Sequence, residues 1–122
     1  MVMDLLVRLA SGALVNVEIQ RIGYLFPGQR CACYSSDLVM RQYTRVREEC
    51  RRQKKAFSYK NIKRVYTIVL IQDSTREFHL LPDAYVHRGK TFFDTGLKLD
   101  MLQEYILIPL DIFWETVHNK DR

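Results

Sequence analysis

The chain has 122 residues, 48% hydrophobic and 27% charged, with a net charge of +5. That suits a single domain spanning residues 1–122 with one modest core, and it excludes disordered and fibrous chains. No apolar run approaches the about 20 residues of a membrane-spanning helix, and the start, MVMDLLVRLASG, lacks the basic-then-apolar order of a secretory signal, so a cytoplasmic protein with no membrane partner is expected.

Residues 3 to 9 and 13 to 22 alternate as two strands around a tight turn. FPGQ, residues 26 to 29, is a break. A helix is predicted from about Arg30 to about Gln53, with an apolar line through Val39, Tyr43, Val46 and Cys50 widened by Tyr34 and Leu38. VYTIVLI, residues 65 to 71, is continuously apolar and β-branched, the pattern of a central strand covered on both faces. QDST is a turn, REFHLL a further strand stopped by Pro82, and Lys90 to Phe93 a short one. EYILIPL is a late strand. DIFWETVHNK is a short terminal helix with Asp111 as its N-cap and Phe113 and Trp114 as core anchors. The order predicts an α/β fold with a mixed sheet, one long helix and a short C-terminal helix.

Cys31, Cys33 and Cys50 are odd in number and lack a second Cys pair, so they read as small buried or half-buried thiols. His79, His87 and His118 have no metal spacing, His79 being expected half-buried in its strand. The stretch from Arg41 to Arg64 is dense in Lys and Arg and holds two acids, Glu48 and Glu49. Such a block attracts polyanions, nucleic acid first among them; a solvated helix face and loop is the plainer reading.

The first two strands hold Asp4, Asn16, Glu18 and Gln20 among apolar residues. Asn16, Glu18 and Gln20 share a face by strand alternation. A two-residue loop at Ser11-Gly12 sets Asp4 opposite Ile19, with the acids on opposite faces. A three-residue loop, Ala10-Ser11-Gly12, sets Asp4 opposite Glu18. A type I turn closed by a left-handed residue wants Gly third, and Gly12 is there, so the three-residue loop is favoured. Two carboxylates about 5 Å apart repel, and a cation resolves that. Carboxylate oxygens with a backbone carbonyl suit Mg²⁺ or Mn²⁺. The plainer reading has Asp4 frayed and Glu18 facing solvent.

The pattern Asp4…Glu18-x-Gln20, within LVNVEIQ, resembles the core of the PD-(D/E)XK nuclease superfamily and most closely its transposase-like, recombination-promoting branch. Arg30 and Tyr34 near the helix start, YKNIKRVYTIVLI from Tyr59, and the late LIPL extend the resemblance along nearly the whole chain. It implies a restriction-endonuclease-like fold and Mg²⁺- or Mn²⁺-dependent hydrolysis of DNA phosphodiesters. Asp4, Glu18 and the Ile19 carbonyl would ligate the metal. Gln20, where the superfamily more often has Lys, would orient the attacking water. The basic helix would track DNA phosphates through Arg30, Arg41, Arg45, Arg51, Arg52, Lys54 and Lys55. Met3 rather than Pro precedes Asp4. Members of the branch carry an N-terminal helical region before the first strand, so the resemblance implies a shortened chain with a sheet face open to homodimer formation. The alternatives are a truncated remnant that binds DNA or dimerises without cutting, and a basic α/β module for RNA or protein.

Overall fold

The computed structural model describes residues 2–22 and 27–120, with backbone alone at residues 2–4, 22, 119 and 120. Five strands form one mixed sheet in the order β1-β2-β3-β5-β4, with β1 Val2–Arg8, β2 Leu14–Ile22, β3 Val65–Asp73, β4 His87–Lys90 and β5 Gln103–Pro109. The helices are α1 Pro27–Arg52, α2 Arg76–His79 and α3 Leu110–Lys120. The fold is therefore α/β, with one long helix and a short C-terminal one, as the pattern predicts.

The β1–β2 hairpin closes through the three-residue loop. Leu9 N–H donates to Ala13 C=O at 2.9 Å and Gly12 N–H to Leu9 C=O at 2.9 Å. Gly12 takes φ +92°, which a side chain rarely adopts. The register that follows sets Asp4 opposite Glu18. β2 and β3 are parallel, so α1 is the crossover between them. Of the expected FPGQ break, Phe26 lies outside the described residues, and Pro27 instead opens α1, where its missing N–H costs nothing. The helix ends in a Schellman arrangement with Lys54 at φ +54°: Lys55 N–H donates to Cys50 C=O at 2.8 Å and Lys54 N–H to Arg51 C=O at 3.3 Å.

The buried stripe of α1 is Cys31, Ser35, Leu38 and Gln42, with Cys50 beyond; Val39, Tyr43 and Val46 sit half-buried on its flank. The expected apolar line is thus rotated by part of a turn, because two polar residues in the true stripe are satisfied there. Gln42 donates to Lys63 C=O at 2.9 Å and accepts from Lys63 N–H at 2.9 Å, standing in for a neighbouring strand. Ser35 Oγ accepts from Gln103 Nε2 at 3.0 Å.

β3 is central but not covered on both faces. Val65, Thr67, Val69 and Ile71 are buried, while Tyr66, Ile68 and Leu70 are only half-buried. Cys31 of α1 and Ile112 of α3 join one cluster with Val69, Ile71 and Phe78, so both helices lie on one side of the sheet. A second cluster, Leu14, Leu38 and Val65, lies further along. Thr67 falls between Val65 and Val69 on the strand, and Ser35 between Cys31 and Leu38 on the helix. A polar seam therefore divides the two clusters.

Five expectations are corrected. REFHLL is not a strand: residues 76–79 form one helical turn after Thr75, which buries Phe78. His79 is consequently an exposed helical residue. The short strand is His87–Lys90 rather than Lys90–Phe93. β5 runs into α3 with no loop, so Asp111 is inside the first turn and not the N-cap. Phe113 and Trp114 (64% exposed) face outward, and Ile112 is the core anchor.

Candidate functional site

The polar residues of β2 face the helices. Glu18 is 1% and Gln20 2% exposed, and Thr67, beside them on β3, is fully buried. Glu18 is therefore not the solvent-facing strand residue of the plainer reading. Burial of a carboxylate requires a counter-charge. Arg30, in the first turns of α1, supplies it: Nη2 donates to Glu18 Oε1 at 3.1 Å and Nε to the same oxygen at 3.4 Å. The guanidinium also lies 5.1 Å from the centre of the Tyr34 ring, a cation–π contact that restrains its plane.

The pairing is one-sided. Glu18 Oε2, Gln20 Oε1 and Thr67 Oγ1 are buried and have no hydrogen-bond partner among the described residues. Buried polar atoms are seldom left so; Glu18 and Gln20 are neighbours on one face of β2, while Thr67 stands opposite Asn16, further along that face. The backbone sets Asp4 directly across from Glu18; its side chain lies outside the described residues. Alternation from the hydrogen-bonded Leu9–Ala13 pair makes Asp4–Glu18 a non-hydrogen-bonded pair, the closer kind, with Cα atoms about 4.5 Å apart. The same alternation commits the Ile19 carbonyl to the ladder with Met3, leaving one lone pair for a ligand. Among the described residues, no three His, Cys, Asp or Glu side chains are grouped to hold a metal. The donor chemistry present is nevertheless all oxygen, which fits Mg²⁺ or Mn²⁺ and not a softer ion.

Cys31 borders the site. Burial pushes its thiol pKa up, the Glu18 charge pushes it further, and Arg30 acts in the opposite sense. It is a core thiol and not a nucleophile. Cys31, Cys33 and Cys50 are all free.

The remaining candidate residues are spread along α1 and beyond it. Arg41 pairs with Asp37 at 2.9 Å, and Arg52 pairs with Glu49, which also accepts from Gln53. Arg45, Arg51, Lys54 and Lys55 are exposed and make no ion pair among the described residues. The structure thus brings together Glu18, Gln20 and Arg30, and separates Arg30 from the other six basic residues. Thr67, Ser35, Gln42 and Gln103 escaped sequence reasoning. A lone Thr within VYTIVLI was the available signal for the first.

A second polar cluster lies where β3 ends. Asp111 Oδ2 accepts from Ser74 N–H and from Ser74 Oγ–H, each at 3.0 Å, and His79 Nε2 lies 3.1 Å from Ser74 Oγ and 3.2 Å from Asp111 Oδ2. Burial raises the Asp111 pKa, but the Ser74 and Ile112 bonds and nearby His79 outweigh it and hold the carboxyl below the ordinary aspartate range. Serine and aspartate meet the same ring nitrogen. A nucleophilic triad needs the carboxylate on the other one. The cluster is a latch between β3, α2 and α3. A cavity of about 390 Å³ under the 91–102 loop includes Arg64, whose guanidinium is held by Asp100 and Glu104, and none of its buried side-chain polar atoms lacks a partner among the described residues.

No helix among the described residues is long and apolar enough to cross a membrane. Compared with protein-family models, curated proteins and solved structures, the chain matches none.

Proposed function

We propose that the chain is a metal-dependent DNA endonuclease domain, of the kind its Asp4…Glu18-x-Gln20 pattern resembles. The observation that carries the reading is Glu18: a buried carboxylate, opposite Asp4, with one oxygen unpartnered beside the unpartnered oxygen of Gln20. Asp4, Glu18 and the Ile19 carbonyl would hold Mg²⁺ or Mn²⁺, which when bound acidifies water and offsets charge on a phosphodiester. Gln20 orients the attacking water through its amide but, unlike Lys, cannot neutralise developing charge. Arg30, the more exposed partner of Glu18, neutralises that carboxylate at the edge of the site. The exposed cations of α1 hold the DNA backbone without reading sequence.

The test is nicking of supercoiled plasmid in Mg²⁺ or Mn²⁺, wild type beside Glu18→Ala. Metal-dependent nicking that falls at least a hundredfold in the variant is expected. Equal nicking by both proteins overturns the assignment of the site. Absence of nicking by either, with salt-sensitive DNA binding kept, replaces the enzyme by a DNA-binding remnant of the fold.

A further inference from the structure

A second feature lies beyond the C-terminal half of α1. Tyr43, Phe57 and Tyr59 pack ring against ring: Phe57 stands edge-on to both tyrosines, with centroids 5.4 Å from Tyr43 and 4.9 Å from Tyr59, and the two tyrosine rings lie 20° from parallel at 6.3 Å. The Arg47 guanidinium caps the group, 4.8 Å from Phe57 and 5.4 Å from Tyr43. A cluster built only to hold a loop would bury its rings. Tyr59 is 72% exposed.

The backbone holds Tyr59 in place. Ser58 caps the 3₁₀ turn Tyr59–Asn61 by accepting from Lys60 N–H at 3.2 Å, Ile62 N–H closes it onto Tyr59 C=O at 3.0 Å, and Ile62 is buried. An exposed ring on a closed turn is preorganised for contact and loses little freedom on binding.

The charge around it is one-sided. Residues 43 to 60 hold seven Lys and Arg against two acids, a local excess equal to the net charge of the whole chain. Of the two acids, Glu49 is occupied by Arg52 and Gln53. Arg51, Lys54, Lys55 and Lys60 make no ion pair among the described residues. An exposed aromatic face among unpaired cations is the chemistry of unpaired bases on a phosphate chain: the ring stacks on a base and the cations take phosphates. A duplex hides its base faces and would use only the charge.

We infer that the Tyr43–Phe57–Tyr59 corner, with Arg47, Lys54, Lys55 and Lys60 around it, binds a single-stranded stretch of nucleic acid by stacking a base on Tyr59. Thirteen residues of helix separate Tyr43 from Arg30, about 20 Å of rise and an opposite flank. The corner is therefore distinct from the Glu18 site, and the inference stands whether or not that site cuts.

The experiment is fluorescence anisotropy in EDTA, so that cleavage plays no part. Labelled dT12, its RNA counterpart rU12 and a 12-base-pair duplex are titrated with wild type, Tyr59→Ala, Tyr59→Phe and Lys54→Ala/Lys55→Ala. Tyr59→Ala is expected to weaken dT12 binding about tenfold, with Tyr59→Phe near wild type and duplex binding unchanged. The lysine pair is expected to lower the salt slope on dT12 by about 1.4. The dT12-to-rU12 ratio assigns the strand to DNA or RNA. Tyr59→Ala binding dT12 as tightly as wild type, or losing duplex and single strand by the same factor, overturns the inference. Because Tyr59 is exposed, an unchanged melting curve for Tyr59→Ala is the control on folding.

Discussion

At its N-terminal end α1 sets Arg30 against Glu18, a carboxylate almost wholly out of water. At its C-terminal end the same helix carries Arg45, Arg51 and Arg52 in solvent, with Lys54 and Lys55 just past it. The residue types are alike and their energetic weight is not. In low dielectric, one arginine decides whether a carboxylate can stay charged. In water, each cation is screened and counts only as part of a field. On the function proposed above, the first end would take one small cation or a phosphate group, and the second a long polyanion.

Substitutions along the helix grade this contrast. Arg30→Ala strands the Glu18 charge in the core and is expected to cost about 3 kcal/mol by urea denaturation. Adding Glu18→Gln to it should recover most of that, since a neutral amide needs no counter-charge. A loss below about 0.5 kcal/mol for Arg30→Ala, within the range of ordinary surface changes, would remove the contrast. Midway along, Gln42→Ala deprives the Lys63 N–H and C=O of both their partners, and a loss of about 2 kcal/mol is expected in the same assay. At the far end, Arg51→Ala should leave stability within about 0.5 kcal/mol yet reduce the salt slope of duplex binding by about 0.9, read from affinities at several salt concentrations. An Arg51 effect on stability as large as that of Gln42 would show the C-terminal charges to be structural instead.

The hairpin register was legible because one residue decides it: Gly12 at the third loop position admits a left-handed φ, and every pairing back to Asp4 follows. The identity of the covered face was not legible. Alternation places Glu18 and Gln20 together, but hydrophobicity alone would send them to water. Glu18 is buried because Arg30 arrives from the next element, a contact across twelve residues that no local pattern contains, and Gln20 lies on the same covered face. REFHLL misled for a related reason. Its alternation suited a strand, while Ser74, Thr75 and Glu77 ahead of and within it were the usable helix-start signal. The α1 stripe was displaced because Gln42 counts as polar by type yet is satisfied by a single backbone residue. Trp114 reads as a core anchor in sequence, whereas the loopless step from β5 into α3 fixes which side of that helix faces inward.

The parallel pairing of β2 and β3 also orders events in time. The hairpin joins neighbours in sequence and closes on the scale of microseconds. Glu18 is enclosed only when β3 docks beside β2, after a crossover that contains all of α1. That step carries the loop-closure entropy of the fold and sets its pace. On the ribosome, Asp4 and Glu18 emerge before β3, and until β3 docks β2 has only its hairpin partner, a pairing that is marginal in water by itself. The strand that carries Glu18 therefore meets the surrounding medium first as part of an unfinished fold, before α1 and β3 are in place.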